Sequence, residues 1–469
     1  MRRLCAILCL SLIATGLHAQ SGKAVRLEFP SEKYSTELQC VLCDTEGVCL
    51  LYPTYEADTA ISHIIHYDTG LSPVADTSIR IPPHNTYTAS AYHDGGLYVL
   101  YQEKPKKKKG PGGTLLRWDV RTHRMDTTSV RNLPTDDITR LTALDGTVLF
   151  TCPTGKDNSN LFFLPIGQPF ARGLFLKDAP SYTIDDFWAD TPGQRVVTCA
   201  NIASGGKDNV IRVCESDLEG NVLSMVDMPD TGAFRFQNAR ITQVGTDRFL
   251  IAGTYQLRKS GTGNTATGVY AVLYGGGVFS EVELFPYEPI KTNQSEVLYL
   301  PGRIYRDSAH VAFVTESFYP EYRYSTTYAY GVPTTEPIFM GYRFLNAEVH
   351  VFDNQGHLAG KYSFPFDNML LTNLTSHLSI AFTRSGTLFY YLHGEELVTM
   401  LTDSQLNILD PIRSATLFPQ TDKESPLVYT TALRPWYEDF YLLSGYRFRN
   451  TGSPKTRKPV YFINKLRYQ

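Results

Sequence analysis

The most regular feature of the chain is a tight turn followed by a short strand of almost unbroken apolar residues. The pattern occurs eight times, as VCLLY after Gly47, LYVLY after Gly96, TVLFT after Gly146, QRVVTC after Gly193, RFLIAG after Asp247, AHVAFVT after Ser308, TLFYYL after Gly386 and FYLLSG after Asp439. Most copies lie about fifty residues apart, with longer intervals before Ser308 and before Gly386. This period predicts an architecture in which one supersecondary unit is repeated.

Proline marks the end of each repeat, in phase with the apolar strands. An apolar or small residue precedes it in Ile81-Pro82, Leu133-Pro134, Ala179-Pro180, Met228-Pro229, Phe285-Pro286, Phe364-Pro365 and Phe418-Pro419. Proline has no N–H to donate to a sheet, so it belongs at strand ends. An eighth copy, Phe29-Pro30, closes a lone strand at residues 24–29 that has no partner before it.

Each repeat contains four predicted strands, which residues 86–133 show as TYTASAY, LYVLYQ, TLLRWDV and DTTSVRNL. The second strand is apolar on both faces, as a strand between two packed layers is. The fourth strand is short and polar, as an outer edge strand is. In this repeat the chain resembles the β-propeller superfamily over its whole mature length. It carries no repeated WD dipeptide and no kelch or sialidase signature.

The resemblance implies an all-β fold, a single β-propeller with eight four-stranded blades, or seven as the second choice. The last repeat supplies only three strands, LVYTTAL, FYLLSG and PVYFINKL. We therefore predict that the strand at residues 24–29 pairs beside residues 459–467 and closes the ring. A protein of two β-sandwiches remains the alternative.

The first nineteen residues have the pattern of a secretory signal peptide. Arg2 and Arg3 precede an apolar segment, CAILCLSLI, and Leu17-His18-Ala19 ends in a small residue before Gln20. We predict cleavage after Ala19 and a mature propeller domain at residues 20–469. The alternative is a buried N-terminal strand or helix. Export would place the protein outside the cytoplasm, either in the periplasm or secreted to the cell surface.

Six cysteines remain in the predicted mature chain, and export makes disulfides possible. Cys43 and Cys49 lie on either side of a predicted turn, and Cys199 and Cys214 lie across a predicted hairpin. Each pair is a disulfide candidate, and buried free thiols are the alternative. Cys40 and Cys43 form a C-x-x-C motif, but no second pair of ligands accompanies it, so we predict no zinc site.

The longest loops all join the second strand of a repeat to the third. They are residues 104–113, 256–268, 316–346 and 447–459. Such loops leave the same face of a propeller, which we predict to be its working face. The insertion at residues 316–346 is rich in tyrosine and arginine, which suit protein or sugar contact. Packing as a lid over the propeller is the alternative. Its predicted ligand- or partner-binding residues are Tyr319, Tyr322, Arg323, Tyr324, Tyr328, Tyr330 and Arg343.

Polar residues at the predicted starts of the first strands are candidates for the mouth of the central channel. They are Asp136, Asp185, Asn238 and His377, together with Asn85, Asp137, Asp186 and Asn293. Neighbouring residues on a strand point to opposite faces, so only one member of Asp136-Asp137 or Asp185-Asp186 is expected to face the channel. Ordinary turn and strand-start roles are the alternative. No metal-ligand spacing or cofactor motif is present, and we predict neither.

Composition narrows the classes of partner. The chain has 44 Lys and Arg against 47 Asp and Glu, for a net charge of −3, which excludes the strong basic excess of a typical nucleic-acid binder. It has no internal apolar run long enough to form a membrane helix. The lysine run Lys104–Lys109 is either a solvated loop or a peripheral contact with an anionic surface. The oligomeric state is not indicated.

Two functions fit these observations. The first is an exported, non-catalytic binding or scaffold propeller that uses its loop-rich face for a protein or glycan partner. The second is a carbohydrate-active enzyme, a polysaccharide lyase or a glycosidase, with its site at the channel mouth. An enzyme needs a deep polar pocket where an acid, base or paired carboxylates converge, whereas a scaffold presents a broad surface.

Overall fold

The structure is a computed structural model of the chain. It describes residues 26–30, 37–56, 59–82, 84–103, 112–134, 136–154, 158–176, 179, 181–203, 209–229, 232–258, 265–290, 296–329, 332–417, 424–426, 431–449 and 458–467. The described part of the chain contains no helix with the length and apolarity that a bilayer crossing requires.

The first four sheets follow one another along the chain, each antiparallel and four-stranded. Blade 1 contains β2 (Gln39–Leu42), β3 (Val48–Glu56), β4 (Thr59–Tyr67) and β5 (Pro73–Ile81), with a 3-10 turn at Asp44–Glu46. Blade 2 contains β6 (Asn85–His93), β7 (Gly96–Glu103), β8 (Gly112–Asp119) and β9 (Met125–Arg131). Blade 3 contains β10 (Arg140–Leu144), β11 (Thr147–Pro153), β12 (Ser159–Pro165) and β13 (Arg172–Gly173). Blade 4 contains β14 (Tyr182–Asp190), β15 (Arg195–Ala203), β16 (Asn209–Asp217) and β17 (Val222–Asp227).

The last four sheets keep the same order, with short additional strands in blades 5, 6 and 8. Blade 5 contains β18 (Phe234–Phe236), β19 (Arg240–Gly245), β20 (Arg248–Leu257), β21 (Gly268–Gly275), β22 (Val278–Phe279) and β23 (Glu283–Pro286). Blade 6 contains β24 (Leu298–Arg306), β25 (His310–Ala329), β26 (Val332–Asp353), β27 (Leu358–Pro365) and β28 (Leu370–Leu371). Blade 7 contains β29 (Ser379–Thr383), β30 (Gly386–His393), β31 (Glu396–Thr402) and β32 (Ile408–Thr416). Blade 8 contains β33 (Glu424–Pro426), β34 (Ala432–Pro435), β35 (Phe440–Arg449), β36 (Lys458–Arg467) and β1 (Arg26–Pro30).

The N-terminal strand closes the ring, as predicted. β1 pairs antiparallel with β36, with Phe29 opposite Tyr461 and Arg26 opposite Asn464. Phe29 is buried in an apolar cluster that joins blade 8 to blade 1. The first and last parts of the described chain therefore share one blade, which gives eight blades and covers the edge of β36.

The hydrophobic core is a ring of apolar clusters, one between each blade and the next. Val48 of blade 1 packs with Leu442 of blade 8, Ile64 of blade 1 with Leu97 of blade 2, and the series continues to blade 8. Second strands are buried on both faces because each lies between two neighbouring sheets. This arrangement explains the apolar strand in each repeat and defines the chain as an eight-bladed β-propeller.

The two predicted cysteine pairs differ in geometry. The Sγ atoms of Cys43 and Cys49 lie 3.4 Å apart at the turn between β2 and β3. In contrast, the ladder places Cys199 opposite Val213 and Cys214 opposite Thr198, so the two side chains point to opposite faces of the sheet. The predicted proximity of Cys199 and Cys214 is wrong, because the hairpin register is shifted by one residue from a register that would pair these two cysteines.

Candidate functional site

An exposed two-stranded arm extends from blade 6 at the predicted insertion. β24 stops pairing with β25 at Phe318, and β27 stops pairing with β26 at Asn346, yet β25 and β26 continue together to Ala329 and Val332. We call residues 319–343 the arm. The insertion is therefore a continuation of two blade strands. The long connections of blades 2, 5, 6 and 8 all join the second strand to the third, as predicted, although residues 104–111, 259–264 and 450–457 lie outside the described residues.

One face of the arm is aromatic. The register pairs Tyr322 with Phe339, Tyr324 with Pro337 and Tyr328 with Pro333, and strand alternation puts all six side chains on the same face. We call this surface the aromatic face. Its tyrosines are 47%, 70% and 76% exposed at positions 322, 324 and 328. Rigid aromatic side chains held in solvent on a strand are the groups that dominate binding energy once a partner desolvates them.

The other predicted arm residues have different positions. Arg323 lies opposite Ile338 on the reverse face, away from the tyrosines. Arg343 lies at the base opposite Tyr319, where its guanidinium donates to both carboxylate oxygens of Glu321 at 2.7 and 3.1 Å. These hydrogen bonds lower the pKa of Glu321. The expected single Tyr/Arg surface is therefore wrong, since alternation places Tyr319 and both arginines on the reverse face, away from Tyr322, Tyr324 and Tyr328. Tyr330 lies outside the described residues.

A row of rings joins the aromatic face to the core of the propeller. Phe318 and Phe344 are buried in the cluster between blades 6 and 7. Tyr342 contacts Phe318 at a ring-centroid distance of 5.6 Å and Phe339 at 5.1 Å, and Phe339 contacts Tyr322 at 5.7 Å. Sequence reasoning missed Phe339, although period-two alternation through residues 337–344 with one bulge would have placed it on this face. The arm is thus anchored by packing at its base.

A pocket of about 460 Å³ lies between the segment that follows β23 and the strands β26 and β27, next to the base of the arm. Its lining residues are Glu288, Pro289, Ile290, Asn346, Glu348, Lys361, Tyr362 and Ser363. The Lys361 ammonium lies 3.2 Å from the Glu348 carboxylate, so these two charged lining groups are paired with each other. Among the described residues, no three His, Cys, Asp or Glu side chains form a cluster that could hold a metal ion.

Two of the acids predicted at the channel mouth, Asp185 and Asp186, connect neighbouring blades. A bulge in β14 between Ile184 and Asp186 breaks the strand alternation, so Asp185 and Asp186 both reach blade 5. Asp185 accepts a hydrogen bond from the backbone N–H of Ala239 at 3.0 Å, and Asp186 accepts one from Ile241 at 3.1 Å. The regular alternation on which the channel expectation for this pair relied is therefore interrupted, and both carboxylates contact blade 5.

Two other channel candidates also have partners within the fold. The Asn238 side chain donates to the Thr254 hydroxyl and accepts from the Thr254 N–H, within blade 5. The His377 ring packs edge-on against Phe344 at 4.6 Å, and burial lowers its pKa to about 4, with a smaller effect from His393. Asp136 is exposed in the connection before β10. The structure therefore does not bring these residues together at one reacting point.

Sequence reasoning also missed a buried acid, Glu316, which lies in β25 shortly before the arm begins. One of its oxygens accepts hydrogen bonds from the Ser376 hydroxyl at 2.8 Å and from the backbone N–H groups of His377 and Leu378 at 2.7 and 2.8 Å. It thereby joins blade 6 to blade 7. Complete burial raises the pKa of Glu316 to about 7, and burial likewise raises the pKa of Asp185 to about 7.

Because the pKa values of Glu316 and Asp185 are raised, we predict that the protein loses stability as the pH rises. A raised pKa means that the folded state holds the proton more tightly than the unfolded chain. The stabilisation is complete below the unfolded pKa values, and it is lost as the pH rises through about 7. We expect the free energy of unfolding in urea to fall by roughly 1 to 3 kcal/mol per acid between about pH 4 and pH 8.

Glu316→Gln tests the contribution of one acid. Glutamine keeps an oxygen for the three hydrogen bonds but does not titrate, so the pH dependence should become shallower. Glu321→Gln is the matched control, because the pKa of this half-buried acid is lowered and its stabilising effect is therefore lost only at acid pH. An unchanged slope in Glu316→Gln would contradict the assignment.

Comparisons with known proteins find distant structural likenesses and no family. No protein-family model matches the chain, and no curated protein sequence is significantly similar to it. Among solved structures, the polysaccharide lyase Uly1 is 9% identical, with a TM-score of 0.44 over 85% of this chain and 91% of that one. The WD40 domain of SCAP from fission yeast is 9% identical, with a TM-score of 0.43 over 94% and 98%. The β-propeller domain of the Trilobed protease from Pyrococcus furiosus is 8% identical, with a TM-score of 0.37 over 79% and 94%. At such values, none of them bears on what this chain does.

Proposed function

We propose that the protein is an exported, non-catalytic binding propeller whose arm contacts a protein partner through its aromatic face. The observation that carries the proposal is the position of Tyr322, Tyr324 and Tyr328 on one exposed face of a two-stranded extension. An isolated two-stranded hairpin is only marginally stable in water. A long hairpin that holds three tyrosines in solvent is therefore a costly surface unless a partner covers it.

The shape of the arm favours a protein over a glycan or a small molecule. Sites for small ligands are concave and surround much of the ligand surface, whereas the arm projects from its blade. Alternation leaves Arg323 and Glu336 on the reverse face, so the aromatic face carries no charged group between positions 322 and 328 or between 333 and 339. A flat, uncharged and aromatic surface is typical of the centre of a protein interface.

The state of the channel acids supports binding over catalysis. A lyase or glycosidase needs an acid and a base that can approach the substrate. Here the channel candidates Asp185 and Asp186, like the buried Glu316 of β25, accept hydrogen bonds from the backbone of the next blade. These carboxylates connect neighbouring sheets. They therefore do not supply the convergent pair of free carboxylates that a carbohydrate-active enzyme would need.

Photo-crosslinking in intact cells tests the proposal directly. A photoreactive amino acid at Tyr324 should form an adduct with another protein, whereas the same residue at Thr327, on the reverse face of the same strand, should not. An adduct with a second copy of the chain is identified by its mass and does not count. No protein adduct from Tyr324, equal adducts from both positions, or a carbohydrate adduct would contradict the proposal.

Export is part of the proposal and has its own test. In an oxidising compartment we expect Cys43 and Cys49 to form a disulfide, because their Sγ atoms already lie 3.4 Å apart. The S–S bond forms as both thiol hydrogens and the electrons pass to a protein-disulfide oxidant. A disulfide that closes the short loop between Cys43 and Cys49 should add about 2 kcal/mol to the free energy of unfolding.

The intact mass of protein isolated from outside the cytoplasm provides the measurement. It should correspond to a chain that starts at Gln20 and lacks two hydrogens, which reduction restores. Cys43→Ser should abolish the two-hydrogen difference. Cys199→Ser should preserve it, because Cys199 lies opposite Val213 and not opposite a cysteine. Retention of residues 1–19, or full alkylation of all six remaining cysteines without reduction, would contradict this part of the proposal.

A further inference from the structure

The arm has an edge that no described strand covers. From Tyr319 to Ala329, β25 pairs only with β26, since β24 ends its ladder opposite Phe318. The outer N–H and C=O groups of this segment therefore face away from the protein along its whole length. An unpaired edge of this kind is a ready template for a further strand.

The two edges of the arm are not equivalent. The β26 edge carries Pro333 and Pro337, which have no N–H to donate, and its base is covered by β28 at Tyr342 and Arg343. Prolines of this kind protect an edge against pairing. The β25 edge has no proline and no lysine from Glu321 to Ala329. Only the β25 edge is therefore open to an added strand.

The prolines also indicate which groups of β25 point outward. In an antiparallel ladder, residues of a non-hydrogen-bonded pair direct their N–H and C=O groups away from each other. Pro333 and Pro337 fit such pairs, and they lie opposite Tyr328 and Tyr324. The outward groups of β25 are then those of Tyr324, Thr326 and Tyr328.

We infer that the β25 edge pairs with the same edge of a second copy of this chain, antiparallel about a two-fold axis at Thr326. This pairing places Tyr324 opposite Tyr328 of the second copy, and Thr326 opposite its own equivalent. On the reverse face, Ser325 meets Thr327 of the second copy. Aromatic and threonine cross-strand pairs are favourable, and no like charges face each other.

Charge and geometry both permit the dimer. The described arm carries two acids, Glu321 and Glu336, and two arginines, Arg323 and Arg343, so two arms do not repel each other through net charge. A two-fold contact is self-complementary by construction and closes after two copies. Edge pairing leaves the faces of the strands uncovered, and the four-stranded product joins two aromatic faces into one. The inference is therefore independent of which protein occupies those faces.

Sedimentation equilibrium of the full mature chain tests the inference. The wild-type protein should show a monomer–dimer equilibrium over roughly 1 μM to 1 mM. Thr326→Lys places two like charges opposite each other at the two-fold axis and should raise the dimer dissociation constant at least about tenfold. Thr335→Lys is the matched control, since it lies opposite Thr326 on the protected strand, and it should dimerise as the wild type does.

A wild-type protein that stays monomeric over this range would overturn the inference. Dimerisation unaffected by Thr326→Lys, or equally lost in both variants, would overturn it too. None of these results would alter the photo-crosslinking test at Tyr324, so failure of the dimer and failure of the proposed partner surface are distinguishable.

Discussion

Deletion of residues 20–30 is expected to abolish cooperative thermal unfolding of the protein. β1 provides the outer partner of β36, and Phe29 fills the cluster between blades 8 and 1. Loss of a buried phenylalanine alone costs about 3 to 5 kcal/mol. The deletion adds the loss of a whole strand ladder, and the total reaches the stability of an ordinary domain, about 5 to 15 kcal/mol. Circular dichroism during heating provides the measurement.

Two single substitutions make this expectation specific. Phe29→Ala should lower the free energy of unfolding by about 3 to 5 kcal/mol, whereas Pro30→Ala, at the exposed end of the same strand, should change it by less than about 1 kcal/mol. A synthetic peptide of residues 20–36 should restore the transition of the deleted protein. A sharp, unshifted melting transition in the deletion variant would show that the ring does not depend on β1.

The second large effect is expected at the arm. Replacing Tyr322, Tyr324 and Tyr328 together by serine should weaken binding of the crosslinked partner at least about 100-fold, because central aromatic residues carry most of the energy of an interface. The melting temperature should move by less than about 3 °C, since Tyr324 and Tyr328 are exposed and the half-exposed Tyr322 contacts Phe339 only at the outer end of the row of rings. This combination of results distinguishes a contact surface from a structural lid.

The repeat was predictable from the sequence because its physical cause is local. Each second strand lies between two neighbouring sheets, so it is apolar on both faces. Segments such as VCLLY and TVLFT can therefore be recognised as buried strands without any knowledge of the neighbouring strands. The prolines and the orphan strand at Phe29-Pro30 then sufficed to predict the eight blades and the closure. These features confirm that buried periodic strands carry their own signal.

The arm and the blade-to-blade contacts were harder to predict, for two physical reasons. Strands of 20 and 22 residues are far longer than the usual five or six, so residues 316–346 resembled a loop and Phe339 was overlooked. The bulge before Asp186 and the register of Cys199 have no local sequence cause, because pairing with the neighbouring strands determines both. Side-chain direction depends on such single-residue shifts.

The central claim, that the aromatic face binds a protein partner, is tested most directly by one titration. The partner identified from Tyr324 is titrated against the wild type, the triple serine variant and a reverse-face control, Arg323→Ser with Thr327→Ala, while the melting temperature of each is recorded. The account predicts that binding is lost only in the triple serine variant, with all three melting temperatures nearly equal. Retained binding together with a large fall in the melting temperature of the triple serine variant would contradict it.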